Sequence, residues 1–335
     1  MTASTTSSPV AVTMGEPAGI GGEITLKAWL SRDQLPIFLA VDDPGRLRNL
    51  AQHLAIDVPI VEIASPEDAE SCFHSALPVL PLALERTVVH GLPDGINENA
   101  VIESIDRALD LATSGAASAI VTNPIHKTAL GEAGFAYPGH TGYLGEKAGV
   151  DRPVMLLCSP QLKAVPVTVH QPLAEAISSL STDDICHAAQ LTAATLQRDF
   201  NIQSPRLAIA GLNPHAGESG MLGNEERDVI APAVQLLTRE GTSVVGPCPA
   251  DTMFHSAARQ TYDAAICMYH DQALIPLKTL GIDDGVNVTL GLPFVRTSPD
   301  HGTALDIAGT GTARADSLIA AIRLAAEIAA QRQCP

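Results

Sequence analysis

Three histidines each follow an apolar stretch that has the composition of a buried β-strand. They are His170 after 162–169, His215 after 206–212 and His270 after 264–269. Ligands of open α/β sheets bind beyond the carboxyl ends of the strands. Three parallel neighbouring strands would therefore bring these imidazoles together, as a divalent metal ion requires. The spacings of 45 and 55 residues give no local support to a metal, so hydrogen-bonded structural histidines stay open as the alternative.

Two aspartates are candidates for acid–base chemistry. Asp271 directly follows His270, and Asp251 lies in the segment 249–252 ahead of the same strand-like stretch. A carboxylate near an imidazole can transfer a proton, and it can equally orient a histidine that binds a metal. Both interpretations stay open for Asp271.

Five further polar residues stand in apolar or glycine-rich surroundings: His140, Thr141, Lys278, Asn287 and Arg296. Two cations together with hydroxyl and amide donors suit recognition of a phosphate or a carboxylate. The alternatives are a surface ion pair for Lys278 and a structural hydrogen bond for Asn287. His126 and Lys127 also follow a strand-like stretch, but a structural role is the stronger expectation for both.

The elements around these residues predict an α/β fold with a parallel sheet. Helical patterns at 182–200 and 225–240 connect the three histidine strands, and such alternation of strand and helix is typical of parallel sheets. A strand at 10–13, a glycine-rich turn at 14–22 and a helix at 23–30 open the chain. The turn matches neither the Rossmann nor the P-loop fingerprint. Its helix N-terminus is still a candidate to face an anion.

The length, net charge and cysteine content of the chain limit the kinds of protein that it can be. A length of 335 residues predicts two domains, or one large sheet divided by a cleft. The net charge of −17 argues against nucleic acid or an anionic membrane as partner. No apolar run approaches the roughly 20 residues of a membrane span, and the six scattered cysteines suggest free thiols in a reducing compartment. We therefore expect a cytoplasmic protein with a loose N-terminal tail.

Taken as a set and in order, six motifs resemble the 4-hydroxythreonine-4-phosphate dehydrogenase family of vitamin B6 synthesis. The motifs are MGEPAGIG at 14–21, GHT at 139–141, NPHAGE at 213–218, ADT at 250–252, YHDQ at 269–272 and RTSPDHGTA at 296–304. The resemblance runs from about residue 10 to the final helix. It implies a homodimer that depends on NAD or NADP and on a divalent metal (Zn, Co or Mg).

The resemblance also implies an architecture. Two α/β/α domains would surround a cleft, similar to isocitrate and isopropylmalate dehydrogenases rather than to a Rossmann fold. The first, on the cofactor side, would comprise 1–138 plus 297–335. The second, 139–296, would carry the metal histidines and the dimer interface, with the site in the interdomain cleft.

Carried over position by position, the family's residues fall on positions of this chain that hold the same amino acids. The metal ligands would be His170, His215 and His270. The substrate contacts would be His140, Thr141, Lys278, Asn287 and Arg296. By a more distant analogy with the adenosine-binding loop of isocitrate and isopropylmalate dehydrogenases, the cofactor would contact His301, Gly302, Thr303, Ala304 and Asp306. One departure is Gly142, where many members have an acidic residue.

The implied reaction is oxidation of 4-phosphohydroxy-L-threonine at C3, then decarboxylation to 3-amino-2-oxopropyl phosphate. Candidates for catalysis are Asp251, Asp271 and Lys278. The group that takes the carbinol proton stays open among Asp251, Asp271 and a metal-bound hydroxide. The rival hypotheses are a paralogue that oxidises threonate or erythronate 4-phosphate, or an aromatic cis-dihydrodiol; a metal-dependent hydrolase; and a non-catalytic binding protein.

Overall fold

Strands and helices alternate along most of the chain. The computed structural model describes residues 8–132, 137, 139–281 and 283–333. Within them the strands are β1 (Val10–Thr13), β2 (Phe38–Asp42), β3 (Ile60–Glu62), β4 (Leu77–Pro81), β5 (Ala119–Val121), β6 (Val154–Cys158), β7 (Lys163–Thr168), β8 (Arg206–Ala210), β9 (Ser243–Cys248), β10 (Ala264–Tyr269), β11 (Val286–Leu290) and β12 (Arg296–Pro299).

The helices fill the intervals between these strands. They are α1 (Gly21–Leu30), α2 (Pro44–His53), α3 (Ala69–Cys72), α4 (Glu98–Ser114), α5 (Lys127–Glu132), α6 (His140–Lys147), α7 (Leu173–Ser179), α8 (Thr182–Phe200), α9 (Ala231–Arg239), α10 (Ala250–Met253), α11 (Ser256–Arg259), α12 (His270–Leu280) and α13 (Asp316–Gln333). The predicted α/β class is confirmed.

The chain separates into two compact units. The first contains the described parts of Met1–Asp151 and Leu292–Pro335, and the second is Arg152–Gly291. The first unit thus includes α6, which the sequence analysis assigned to the second domain. The predicted domain boundaries at 138/139 and 296/297 stay a prediction.

The first unit is built on a parallel sheet with strand order β3-β4-β2-β1-β5-β12. Helix α4 packs against it because Val101, Ile105, Ala108 and Leu109 recur at helical spacing and are all buried. The helix ends at Gly115, whose φ of 80° is the left-handed conformation that glycine adopts without strain.

The second unit has a mixed sheet with strand order β11-β6-β7-β10-β8-β9. Strand β6 is antiparallel to both of its neighbours. Strands β7, β10, β8 and β9 run parallel. Helix α8 spans the predicted range 182–200; it starts where Ser181 accepts a hydrogen bond from the amide of Asp184, and it stops at Asn201 with φ of 54°.

Two other expectations concern the chain as a whole. None of the helices in the described ranges has the length and apolar character needed to cross a membrane. The cysteines that the structure describes carry free thiols, as predicted: Cys72, Cys158, Cys186, Cys248 and Cys267. Cys334 lies outside the described residues.

Candidate active site

The three strands that precede the candidate metal histidines are parallel neighbours, in the order β7-β10-β8. Ile266 in the central strand β10 pairs with Val165 of β7 and with Ile209 of β8. Because the register is shared, the carboxyl ends of the three strands lie at the same edge of the sheet. The sequence-based prediction of parallel neighbouring strands is therefore confirmed.

His170 and His270 lie side by side at this edge. Their ring centroids are 5.7 Å apart, with 44° between the ring planes. Both rings line a cavity of about 360 Å³, together with Thr168, Tyr269 and Asp271. His270 Nδ1 donates to Asp271 Oδ1 at 2.7 Å, so the other ring nitrogen, Nε2, is left to bind a ligand.

Two of the three histidines hold an unusual backbone conformation. His170 has φ of 48° and His215 has φ of 52°. Residues with a Cβ rarely adopt this left-handed region, and strained backbone of this kind concentrates at functional sites. His215 lies in a turn, 214–220, directly beyond β8. The strained backbone favours a functional site over the alternative of ordinary structural histidines.

The donor chemistry of the three residues fits a divalent transition metal, because neutral imidazoles are common ligands of Zn²⁺ and Co²⁺. Across the described residues, however, no three His, Cys, Asp or Glu side chains are arranged closely enough to hold an ion. In the structure His170 and His270 are adjacent, and His215 follows a strand that ends at the same edge of the sheet. The three imidazoles are not close enough together to bind one ion.

A second cavity, of about 420 Å³, shares Tyr269 and Asp271 with the first. Asp251, on α10, lines this second cavity as well. The two candidate acid–base residues, Asp251 and Asp271, therefore line the same cavity. Asp271 also lines the cavity that contains His170 and His270.

Lys278 and Asn287 belong to the same unit as the histidines. Lys278 is partly buried in the last turn of α12, the helix that begins with His270. Asn287 is on β11, and its side-chain oxygen Oδ1 is buried without a hydrogen-bond partner. An unsatisfied buried acceptor is costly, so Asn287 is available to a donor group on a ligand.

His140 and Arg296 form a buried group in the first unit. His140 begins α6, and its Nε2 has no hydrogen-bond partner. Burial, with the nearby charges of Arg296 and Lys127, holds the pKa of the His140 imidazole well below its usual range. Burial also lowers the pKa of Arg296 to about 10, so this guanidinium is still charged at neutral pH. Thr141 follows as the second residue of α6, partly buried.

The candidate cofactor segment is attached to the start of α1. The carbonyl oxygen of Thr303 accepts from the amide of Ile20 at 3.0 Å. Ala304 has φ of 42° and precedes a short 3-10 helix, Leu305–Ile307, that contains Asp306. The glycine-rich turn at 14–22 is buried, so it supports this segment rather than facing solvent.

Two residues lie next to this buried group: Thr122, which the sequence analysis missed, and the exposed Lys127, for which it expected a structural role. Thr122 accepts from Arg296 Nε at 3.2 Å and from Nη2 at 2.6 Å. The Lys127 side chain lies against Gly139, directly before His140. Both follow β5, which is the neighbour of β12. Thr122 stands directly after a buried strand, which is a signal in the sequence, but its contact with Arg296 depends on the pairing of β5 with β12, which are far apart in sequence.

The amino-acid sequence is similar to those of known proteins. The sequence model of the family described as pyridoxal phosphate biosynthetic protein PdxA matches residues 34–325. The 4-hydroxythreonine-4-phosphate dehydrogenase of Methylorubrum populi is 52% identical over 330 residues, which cover 96% of this chain and 94% of that protein. The corresponding protein of Caulobacter vibrioides is 50% identical over 334 residues, covering 98% and 99%.

Solved structures extend the comparison. A crystal structure of 4-hydroxythreonine-4-phosphate dehydrogenase from Klebsiella pneumoniae superposes with a TM-score of 0.86 at 38% identity, covering 96% of this chain and 100% of that one. A terephthalate 1,2-cis-dihydrodiol dehydrogenase from Burkholderia xenovorans LB400 gives a TM-score of 0.63 at 28% identity, covering 95% and 97%. The resemblance inferred from the motifs is confirmed. The chain belongs to the family of the pyridoxal phosphate biosynthetic protein PdxA, and it is an oxidoreductase.

Proposed function

We propose that the protein oxidises 4-phosphohydroxy-L-threonine at C3 with NAD or NADP as acceptor, in the biosynthesis of pyridoxal 5'-phosphate. When bound, the nicotinamide would supply the acceptor for the C3 hydride, and a base would take the hydroxyl proton. The bond from C2 to the carboxylate of the resulting 3-keto acid then breaks. CO2 leaves, the electron pair forms an enolate, and protonation gives 3-amino-2-oxopropyl phosphate.

The observation that supports the proposal most is the placement of His170, His270 and His215 after three adjacent parallel strands. These imidazoles would hold one divalent ion, Zn, Co or Mg. When bound, the ion would supply Lewis-acid polarisation of the oxygen on C3 in both stages. The short hydrogen bond between His270 and Asp271 supports an orienting role for Asp271, and Asp251 remains a candidate base.

The substrate would be bound by five residues. Arg296 is buried and charged, so it suits a phosphate or carboxylate, which it can contact through two nitrogens. His140 offers an unpartnered ring nitrogen, and Asn287 offers an unpartnered oxygen. Lys278 adds a second cation and Thr141 a hydroxyl. These interactions would fix the orientation of C3 relative to the nicotinamide.

The cofactor would bind along 301–306, which includes His301, Gly302, Thr303, Ala304 and Asp306. Support comes from the hydrogen bond that ties Thr303 to Ile20, since a loop fixed to a helix start presents its side chains in a defined geometry. The choice of NAD over NADP, the homodimer, the interdomain location of the site and the cytoplasmic location stay predictions.

A second candidate substrate is a phosphorylated sugar acid, threonate or erythronate 4-phosphate. The proposed contacts address phosphate and carboxylate groups, which both substrate classes carry. One feature favours the alternative: residue 142 is glycine, where the family resemblance leads us to expect an acidic residue, so a carboxylate that could affect recognition of the substrate amine would be missing. The amino acid stays the main proposal because the curated relatives are named for it.

The test uses the purified full chain with 4-phosphohydroxy-L-threonine and NAD, measuring NADH, CO2 and inorganic phosphate in parallel. We expect NADH and CO2 in equal amounts, loss of both with a chelator, and recovery when Zn²⁺ or Co²⁺ is added. Release of phosphate without NADH would contradict the proposal and indicate a metal-dependent hydrolase.

A further inference from the structure

The turn that carries His215 has an unusual backbone. All five residues from His215 to Ser219 have positive φ, with values of 52°, 51°, 76°, 42° and 60°. Only the third of them is glycine. A run of left-handed residues with Cβ atoms is unfavourable by itself, so other contacts must hold the chain in this shape.

Those contacts come from one buried carboxylate. Glu226 is 5% exposed. Its Oε1 accepts from the amides of Leu212 at 2.8 Å and Asn213 at 2.6 Å. Its Oε2 accepts from the Asn213 side-chain nitrogen at 2.9 Å. The carboxylate thus fixes the two residues that join β8 to the left-handed turn.

Two glycines leave room for this carboxylate. A Cβ at Gly217 would lie 2.6 Å from Glu226 Oε2, and a Cβ at Gly211 would lie 3.2 Å from Oε1. Side chains at these positions would displace the carboxylate or the backbone. The left-handed turn therefore packs directly against the Glu226 carboxylate, so that a change in the position of one would displace the other.

Glu226 also opens a π-helical turn, Glu226–Ile230, that continues into α9. Such turns are rare and occur often at functional sites. The carbonyl oxygen of Val229 in this turn accepts from Thr182 Oγ1 of α8 at 2.9 Å. The π-helical turn that carries Glu226 is therefore attached to α8 by a contact that does not involve the left-handed turn.

We infer that Glu226 is a positioning residue for His215. By fixing Leu212 and Asn213, its carboxylate imposes the left-handed turn and presents the His215 imidazole at the sheet edge that holds His170 and His270. The inference rests on the proposed function in one respect, namely that His215 binds the metal. Nothing in it requires Glu226 to touch the metal or the substrate.

The test is a double-mutant cycle read by metal affinity, without turnover. Co²⁺ or Zn²⁺ is titrated into the metal-free full chain. Glu226→Gln keeps the size of the side chain but removes one of the two acceptor oxygens. We expect this variant to weaken metal binding roughly 10- to 100-fold, as loss of a residue that orients a ligand typically does. Asp228→Asn is the matched control, because this exposed carboxylate lies in the same helical turn but accepts from Arg227 rather than from the residues that join β8 to the left-handed turn.

The decisive comparison repeats Glu226→Gln in two further backgrounds. In His215→Ala it should cause no additional loss of affinity, whereas in His170→Ala it should cause the full loss. An equal loss in both backgrounds would mean a general structural effect and would overturn the inference. Gly217→Ala, which pushes on Oε2, should reproduce the pattern of Glu226→Gln, so the conclusion does not depend on one variant.

Failure of the inference and failure of the proposed function give different results. If the unmodified chain binds no metal, the proposed metal site fails and the inference fails with it. If the unmodified chain binds metal and Glu226→Gln binds it equally well, the metal site stands and only the positioning role of Glu226 is overturned.

Discussion

Lys27 on α1 donates from Nζ to the carbonyl oxygen of Ala313 at 2.6 Å, across most of the length of the chain. The same ammonium donates to the carbonyl of Gly311 and to Glu23 Oε1, each at 2.8 Å. The Glu23 carboxylate in turn accepts from the Ala313 amide at 3.0 Å. This ion pair therefore holds residues 311–313, which follow the segment 301–306 that we propose binds the cofactor.

Replacing Lys27 with methionine should weaken cofactor binding. Loss of a charge-assisted hydrogen bond releases the segment at 311–313, so we expect the KM for NAD to rise about tenfold with a smaller change in kcat. Lys27→Arg should restore most of the affinity. Steady-state kinetics measures both parameters, with Arg48→Gln as control because the Arg48–Glu62 pair is exposed. A fall in kcat with unchanged KM would contradict a role in cofactor binding.

A buried carboxyl group makes stability depend on pH. Burial and the neighbouring charge of Glu16 raise the pKa of Glu98 to about 8. The unfolded chain loses this proton near its ordinary pKa of 4.5, whereas the folded chain keeps it until about pH 8. The unfolded state therefore binds fewer protons in this window, and the free energy of unfolding should fall as pH rises from about 5 to 8.

Glu98→Gln should remove this dependence and stabilise the protein at pH 8, on the order of 2 kcal/mol. Urea unfolding at several pH values, followed by the fluorescence of Trp29, measures the effect. Glu103→Gln on the exposed side of the same helix is the control. The same slope in Glu98→Gln and in the unmodified chain would show that another group is responsible.

Adding excess metal to an Asp271 variant distinguishes the two roles proposed for this residue, orientation of His270 and action as the base. If Asp271 orients His270, as their hydrogen bond suggests, Asp271→Asn should lower metal affinity about 10- to 100-fold. Excess Zn²⁺ or Co²⁺ should then restore most of the activity. If Asp271 is the base, kcat stays low at saturating metal. His74→Ala, at an exposed histidine, should change neither quantity.

Arg296 should determine affinity for the substrate. Arg296→Lys keeps the charge but loses the two-nitrogen contact, so we expect the KM for the phosphorylated substrate to rise about 10- to 100-fold. The KM for NAD should stay within about twofold, since the substitution lies outside the proposed cofactor segment. An equal rise in both KM values would indicate local misfolding around Thr122 instead.

The local pattern of the sequence was sufficient to predict much of the fold. The helical pattern placed α8 at 182–200, which is the range observed, and the apolar stretch of β10 was placed at 264–269. The antiparallel pairings of β6 were not predicted. Those pairings depend on contacts between residues far apart in sequence, which hydrophobic periodicity does not encode.

Some features of the candidate site were likewise predictable from the sequence, and others were not. His170, His215 and His270 were recognised because each follows a strand, and parallel strands end at one edge. The left-handed backbone of His170 and His215 could not be predicted, since a histidine carries no local signal for positive φ. Glu226 was missed for a related reason: its partners, Leu212 and Asn213, become neighbours only once β8 is in place.

The proposed substrate is tested by the ratio of kcat/KM for NADH formation with 4-phosphohydroxy-L-threonine to that with threonate 4-phosphate. Both are measured with saturating NAD and Zn²⁺ or Co²⁺. We expect the amino acid to be favoured by about 100-fold or more, because a site built for one polar group strongly rejects an analogue with another. A ratio below one would contradict it, and the protein would then be a dehydrogenase of phosphorylated sugar acids.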